Sequence, residues 1–247
     1  MITEDFIAVV DGVTSKSDFF YLGKTTGRIA MEIVKKQLKQ LSPTAKLEEL
    51  IQSINREFVE LYRNIDFPYD QKENGFQAVA VIYSNFYREI WLVGDCQLAI
   101  DGKSYSNPKK SDSVLSEMRS LILQINELHE KEMIGINDEG RELILPWIIK
   151  SVTFANRDIP GYGYAVLNGE DIPQNLIQVF PLDEGYHEII LASDGYPFLE
   201  DTLEKSEARL KEQIHSDPMC YKTFHSTKGV IGNSESFDDR TYIRFVI

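Results

Sequence analysis

Three apolar runs in this chain each meet a bare carboxylate. "FIAVV" runs into Asp11-Gly12, "IILAS" runs into Asp194-Gly195, and Asp238-Asp239 stands just before "TYIRFVI". Runs of this composition read as buried strands, and a strand end fixes a side chain more firmly than a free loop does. Asp-Gly is also a common turn signal, because both residues tolerate positive φ. Asp101-Gly102 in "LAIDGKS" reads as such a turn, closing a hairpin. Asp95, in "WLVGDCQ", lies where one strand bends into the next. Taken one at a time, each of these acids reads as a turn residue. Taken together they raise a physical problem, since carboxylates converging at strand ends repel unless cations neutralise them.

The intervening segments set the fold class. "TGRIAMEIVKKQLKQL" spaces Ile29, Ile33, Leu38 and Leu41 as a helix does. A second amphipathic helix is expected behind "SPT", with Ser42 as N-cap, Pro43 at its first position and an end near Ile65. Strands follow in "FQAVAVIY", "REIWLVG" and "QLAI". The middle, about residues 112–156, reads as helices, the first of them "SVLSEMRSLILQINELHEKEM" (113–133), the second interrupted by Pro146. Strands resume in "GYAVLNG" (163–169), "LIQVFPL" and "YHEIILAS", then a polar helix in "LEDTLEKSEARLKEQIH" and a last strand, "TYIRFVI". This order is not strict βαβ alternation, so it predicts an α+β layer fold of mainly antiparallel sheets packed with helices. No repeat, low-complexity tract or Pro/Gly-rich linker divides the chain, and 1–247 is read as a single domain.

Charge narrows the partners. Thirty-nine acidic against 26 basic residues give a net charge of −13, which argues against a nucleic-acid or anionic-membrane surface. An anionic substrate stays open where metal ions intervene, because gathered carboxylates hold hard divalent cations and those attract phosphate. No apolar run approaches the roughly 18 residues of a membrane span, and the N-terminus lacks a basic signal-peptide region, so a cytoplasmic location is expected. Two cysteines, Cys96 and Cys220, make neither a disulfide framework nor a CxxC.

In their order along the chain, "FIAVVDGVT", "FQAVAVIYSNFYREIWLVGDCQ", "EIILASDGY" and "FDDRTYIRF" resemble the protein phosphatase 2C family of metal-dependent serine/threonine phosphatases, bacterial type. The resemblance runs through nearly the whole chain. It implies a four-layer αββα sandwich with metals at one end between two mainly antiparallel sheets. It implies Asp11 bridging two Mn²⁺ or Mg²⁺ ions, the Gly12 carbonyl ligating one of them, and Asp194 and Asp239 completing the set. Asp95 matches the position of a weaker third ion. The metals would activate a water for in-line attack on a phosphate monoester, small or on a protein, without a covalent phosphoenzyme.

Three departures accompany the resemblance. Val13 stands where the family carries a histidine proposed as general acid. Arg240 follows Asp239 where the family has asparagine. Only ten residues precede Asp11, so the family's first strand and its phosphate-gripping arginine are expected to be missing. Glu4-Asp5 leaves no room for a hairpin there, and an exposed sheet edge would invite self-association or cover by another segment. These departures keep a second class open: a catalytically weak or inactive pseudophosphatase that binds a phosphoprotein or a regulatory partner.

Other chemistries fail on spacing. Gly-Lys-Thr in "YLGKTTGR" lacks the upstream glycine of a phosphate-binding loop, that position being Asp18. Neither cysteine has the downstream arginine of a cysteine phosphatase: Gly102 and Ser226 occupy those places. No Gly-x-Ser-x-Gly elbow occurs, and His129, His187, His215 and His225 form no helical metal pair and read as solvated loop or surface residues. Trp91, Trp147 and Tyr186 read as core or sheet packing.

Overall fold

The computed structural model of the protein describes residues 1–129, 138–232 and 234–247. The expected α+β architecture is present. One antiparallel sheet runs in the order β1 (Phe6–Gly12), β2 (Ala78–Ser84), β3 (Glu89–Val93), β6 (Gln178–Pro181); the other runs β5 (Lys103–Ser106), β4 (Gln97–Ile100), β7 (Glu188–Ala192), β8 (Tyr242–Val246). Strand alternation decides the layers. Val9, Val81, Ile90 and Leu92 of the first sheet face Leu98, Ile189, Leu191 and Phe245 of the second across a shared core. The opposite face of the first sheet (Ala8, Ala80, Ile82, Trp91) is covered by α1 (Thr26–Gln40) and α2 (Leu47–Asn64) through Val34, Leu38, Leu50, Ile54 and Phe58. On the far side, α6 (Leu203–Ser216) brings Leu210 and Ile214 against Ala192 and Tyr242.

Register places the chemistry. Gly12 pairs with Ala78, Ala80 with Val93, and both Gln97 and Tyr242 with Ala192. The end of β1, the β3–β4 bend, the end of β7 and the start of β8 therefore lie at one end of the sandwich. The Asp101-Gly102 turn lies at the other end, with both residues at positive φ (50° and 78°) as its hairpin requires. There His187 hydrogen-bonds Asp101 through Nδ1 and Asp183 through Nε2, at 2.8 and 2.9 Å. Those two bonds, Asp101's first, hold its pKa above the ordinary histidine value, so it is an anchored residue rather than a loose surface one.

Several elements differ from expectation for local reasons. The 163–169 segment forms isolated bridges to Ala78 and Ala155 rather than a strand. The Asn156 side chain donates to the Val166 carbonyl and accepts from its N–H at 2.8 and 2.9 Å, satisfying the buried backbone in place of a strand neighbour. Ser42 and Pro43 lie in a turn, and α2 begins at Leu47 because Glu49 accepts from the Lys46 N–H at 3.0 Å. A short α3 (Gln71–Asn74), capped by Asp70, was not expected. The chain does turn back before β1: Ile2 bridges Ile7, and the Met1 carbonyl accepts from Ala8 N–H, so the first residues cover part of the β1 edge. Trp91 is buried, whereas Trp147 and Tyr186 are 56% and 73% exposed and are not core. No helix among the described residues is long and apolar enough to cross a membrane.

Two further helices, α4 (Lys110–Leu128) and α5 (Glu139–Lys150), pack on each other through Leu115, Ile122, Ile144 and Ile148. Residues 130–133 of the expected 113–133 helix lie outside the described residues. Pro146 is tolerated inside α5 because it faces solvent, where the carbonyl it orphans meets water. Arg119 of α4 is fully buried. It donates to both oxygens of Asp138, the α5 N-cap, and to the carbonyls of Met219, Cys220 and Ser226. Arg119→Met should cost about 3–5 kcal/mol in urea unfolding, because Asp138 and three carbonyls lose their donor together. A loss below about 1 kcal/mol, the scale of an ordinary surface change, would show that this junction is not structural.

Candidate functional site

Two glycines let the carboxylates approach. A Cβ on Gly195 would lie 2.1 Å from the Asp239 carbonyl, so only glycine lets the Asp194 turn pass the start of β8. A Cβ on Gly12 would lie 2.2 Å from the Gly27 carbonyl, so its glycine also serves the packing of β1 against α1. The result is a small cavity of ≈140 Å³. Asp11, Gly12, Asp95, Asp194, Asp238 and Asp239 all contribute to its wall.

Crowding changes the acids. Burial first, then the Asp238 and Asp95 charges, raises Asp11 from 3.8 to about 6. Burial, with Asp95, Asp11 and Asp238 behind it, pushes Asp194 well above the carboxylate range. A hydrogen bond with the Asp194 side chain pulls Asp11 back down. Of the adjacent pair before β8, Asp238 is the one whose charge reaches Asp11 and Asp194, while Asp239 is exposed at the rim.

Cations answer the remaining charge. Lys109 Nζ lies 2.8 Å from Asp95, and Lys228 Nζ lies 2.7 Å from Asp238. Burial works against the Lys109 charge, but Asp95, Asp112 and Tyr164 outweigh it and hold its pKa well above the usual value. Lys16 and Arg141 also line the cavity. With Asp95 and Asp238 drawn to lysines, no three acidic, histidine or cysteine side chains among the described residues stand at the spacing of a metal site.

The departures from the family pattern have physical readings. Arg240 turns away from the cavity and clamps α6, its Nε and Nη2 donating to Glu207 at 2.7 and 2.8 Å. That clamp brings the Glu207 carboxyl down to about 2. Val13 donates its N–H to the Gln77 carbonyl and packs against the inter-sheet core, so no acid–base group occupies its place. Cys96 is wholly buried, and burial pushes its thiol up, out of nucleophilic range. Sequence reasoning did not find Lys16, Lys109, Arg141 or Lys228, because a lysine in a polar loop carries no signal of which way it turns.

A wider groove of ≈730 Å³ opens beside the cavity and shares Asp95, Lys109, Asp194 and Lys228 with it. Phe198, Phe224 and His225 line its outer part. His225 is held by Glu117 at Nδ1 and lies 3.3 Å from the Ser120 hydroxyl at Nε2.

No protein-family profile matches the sequence, and no curated protein matches it significantly. Among solved structures, the chain is similar to the Mycobacterium tuberculosis serine/threonine phosphatase PstP/Ppp at 14% identity and a TM-score of 0.38, over 83% of this chain and 75% of that one. It is similar to RsbX in complex with magnesium at 14% identity and a TM-score of 0.43, over 99% and 82%. It is similar to a bacterial serine phosphatase at 13% identity and a TM-score of 0.40, over 98% and 84%.

The Asp11–Asp194 pair makes a prediction about stability. A carboxyl raised in the folded state contributes stability present below its unfolded pKa and lost as pH rises through the folded one. The metal-free protein should therefore lose stability between pH 3.8 and about 6 through Asp11. Asp11→Asn, in EDTA at about pH 7.5, should be more stable than wild type by about 1–3 kcal/mol in urea unfolding. A variant equally or less stable there would show that the crowding carries no folding cost.

Proposed function

We propose that the protein is a metal-dependent phosphatase that hydrolyses phosphate monoesters, phosphoserine and phosphothreonine in proteins among them. The observation that carries this reading is the convergence of carboxylates from four strand ends on one cavity, against their mutual repulsion. Hard oxygen donors of this kind suit Mn²⁺ or Mg²⁺. Asp11 and Asp194, with the Gly12 carbonyl and Asp239, would hold two ions, and Asp95 is the candidate for a third. When bound, such ions supply a water of lowered pKa and positive charge facing the phosphoryl oxygens.

The chain's own residues set the rest. For metal to enter, both carboxyls must be ionised: Asp11, at about 6, is so near neutrality, and Asp194, held higher, is the one that would give up a proton. The adjoining groove would take the remainder of the substrate, with Phe198 and Phe224 offering apolar contact. No side chain replaces the family's histidine at Val13, so the leaving oxygen would take its proton from water.

The two lysine–aspartate pairs favour a second reading, in which the site binds a phosphorylated partner without hydrolysing it. Hydrolysis of para-nitrophenyl phosphate with Mn²⁺ or EDTA separates the two. The phosphatase shows Mn²⁺-dependent turnover that Asp194→Asn abolishes. A folded protein that neither turns over nor binds Mn²⁺ by calorimetry is a binding module, and the phosphatase reading falls.

A further inference from the structure

Two cations at the cavity have no ion-pair partner of opposite charge among the described residues. Among the described residues, Lys109 and Lys228 are each committed to an aspartate, whereas neither Lys16 nor Arg141 has a carboxylate at ion-pair distance. Arg141 spends one N–H on the Thr227 carbonyl at 3.0 Å and keeps the rest of its fork free of described side-chain partners. Lys16 is half-buried on the β1–α1 loop and has no hydrogen-bond acceptor among the described residues. Burial, then the Arg141, Lys228 and Lys109 charges, brings it down to about 8. An ammonium held close to like charges, in a pocket it lines, is relieved by an anion.

We propose that Lys16 and Arg141 together form the phosphoryl grip of this site, supplied from the β1–α1 loop and from α5 rather than from a strand preceding β1. The class of ligand, a phosphate monoester dianion, rests on the functional reading above; the grip itself rests on the placement of the two cations. A guanidinium offers paired donors to two phosphoryl oxygens, and a lysine adds a point charge from a second direction. The two come from separate segments and line the same cavity, so both could reach one tetrahedral anion bound there. The cavity wall also carries six carboxylates, and among its cations these two are the ones without an ion-pair partner among the described residues. Arg141 would be held in place by the Arg119–Asp138 junction, because Asp138 Oδ1 also accepts the Arg141 N–H, at 2.8 Å.

The test separates grip from catalysis. Inorganic phosphate is titrated calorimetrically in EDTA into the full-length Asp11→Asn/Asp194→Asn protein, which removes hydrolysis, the main proposed metal ligands and two of the carboxylates lining the cavity. Phosphate should bind, and Lys16→Met or Arg141→Met in that background should each weaken it at least about tenfold, the scale of one lost charge-assisted bond. Arg141→Lys should recover part of the loss, and Lys36→Met, on a surface pair with Glu57, should change nothing. In otherwise wild-type protein with Mn²⁺, the same Met variants should raise the KM for para-nitrophenyl phosphate more than they lower kcat. Absence of phosphate binding in the Asn background, or equal binding by variants that still unfold cooperatively, would overturn the grip while leaving Mn²⁺-dependent turnover untouched. Phosphate binding that depends on Lys16 and Arg141 in a protein without turnover would sustain the grip and remove the phosphatase.

Discussion

Carboxylate repulsion at one end of the β-sandwich is the constraint around which this molecule is arranged. The two sheets are locked face to face by an apolar core, and their registers bring Asp11, Asp95, Asp194 and Asp238 to the same end. In an interior of low dielectric such a gathering is costly unless each charge is answered. Three answers coexist here: a hydrogen bond between Asp11 and Asp194, a lysine on Asp95, and a lysine on Asp238. The glycines at 12 and 195 make the crowding sterically possible, since a methyl at either would collide with main chain.

The segments outside the sandwich acquire their meaning from that constraint. Lys109 stands at the N-cap of α4, Arg141 lies in the first turn of α5, and Lys228 follows the loop whose carbonyls Arg119 gathers. One buried guanidinium thus ties α4, the α5 N-terminus and the 219–226 loop into a unit that delivers three of the four cations. Breaking it would loosen the electrostatic balance of the cavity as well as the fold. Arg240 does comparable work on the other side, fastening α6 to the strand start that carries Asp238 and Asp239.

Much of this frame was legible in the sequence. The strands β1, β2, β3, β7 and β8 are apolar runs bounded by turn residues, and the acids at their ends mark the mouth because a strand end has a fixed place in a sheet. The segment 163–169 has strand composition yet is not a strand, because the Asn156 side chain satisfies Val166 while Tyr164 and Leu167 bond to separate main-chain partners. The start of α2 was misplaced because a proline and a serine signal a helix start, while the Lys46–Glu49 capping contact that sets it uses residues equally at home on a helix surface. The cations around the cavity were illegible for a simpler reason. Lysine and arginine in loops and first helical turns are solvated by default, and only the packing of distant segments around the cavity turns these four inward.

The same balance bears on how many ions the site can take. At Asp11 and Asp194 a divalent cation would displace nothing more than a proton, since Asp11, at about 6, is already ionised near neutrality. At Asp95 it would have to displace Lys109, whose charge the surroundings hold well above the usual pKa and whose side chain is only 14% exposed. Freeing Asp95 would leave an ammonium nearly buried and unpaired, a far larger cost than losing a proton. The lysine thus acts as the resident cation of Asp95. A divalent cation would therefore be admitted more readily beside Asp11 and Asp194 than beside Asp95, where Lys109 already supplies the positive charge.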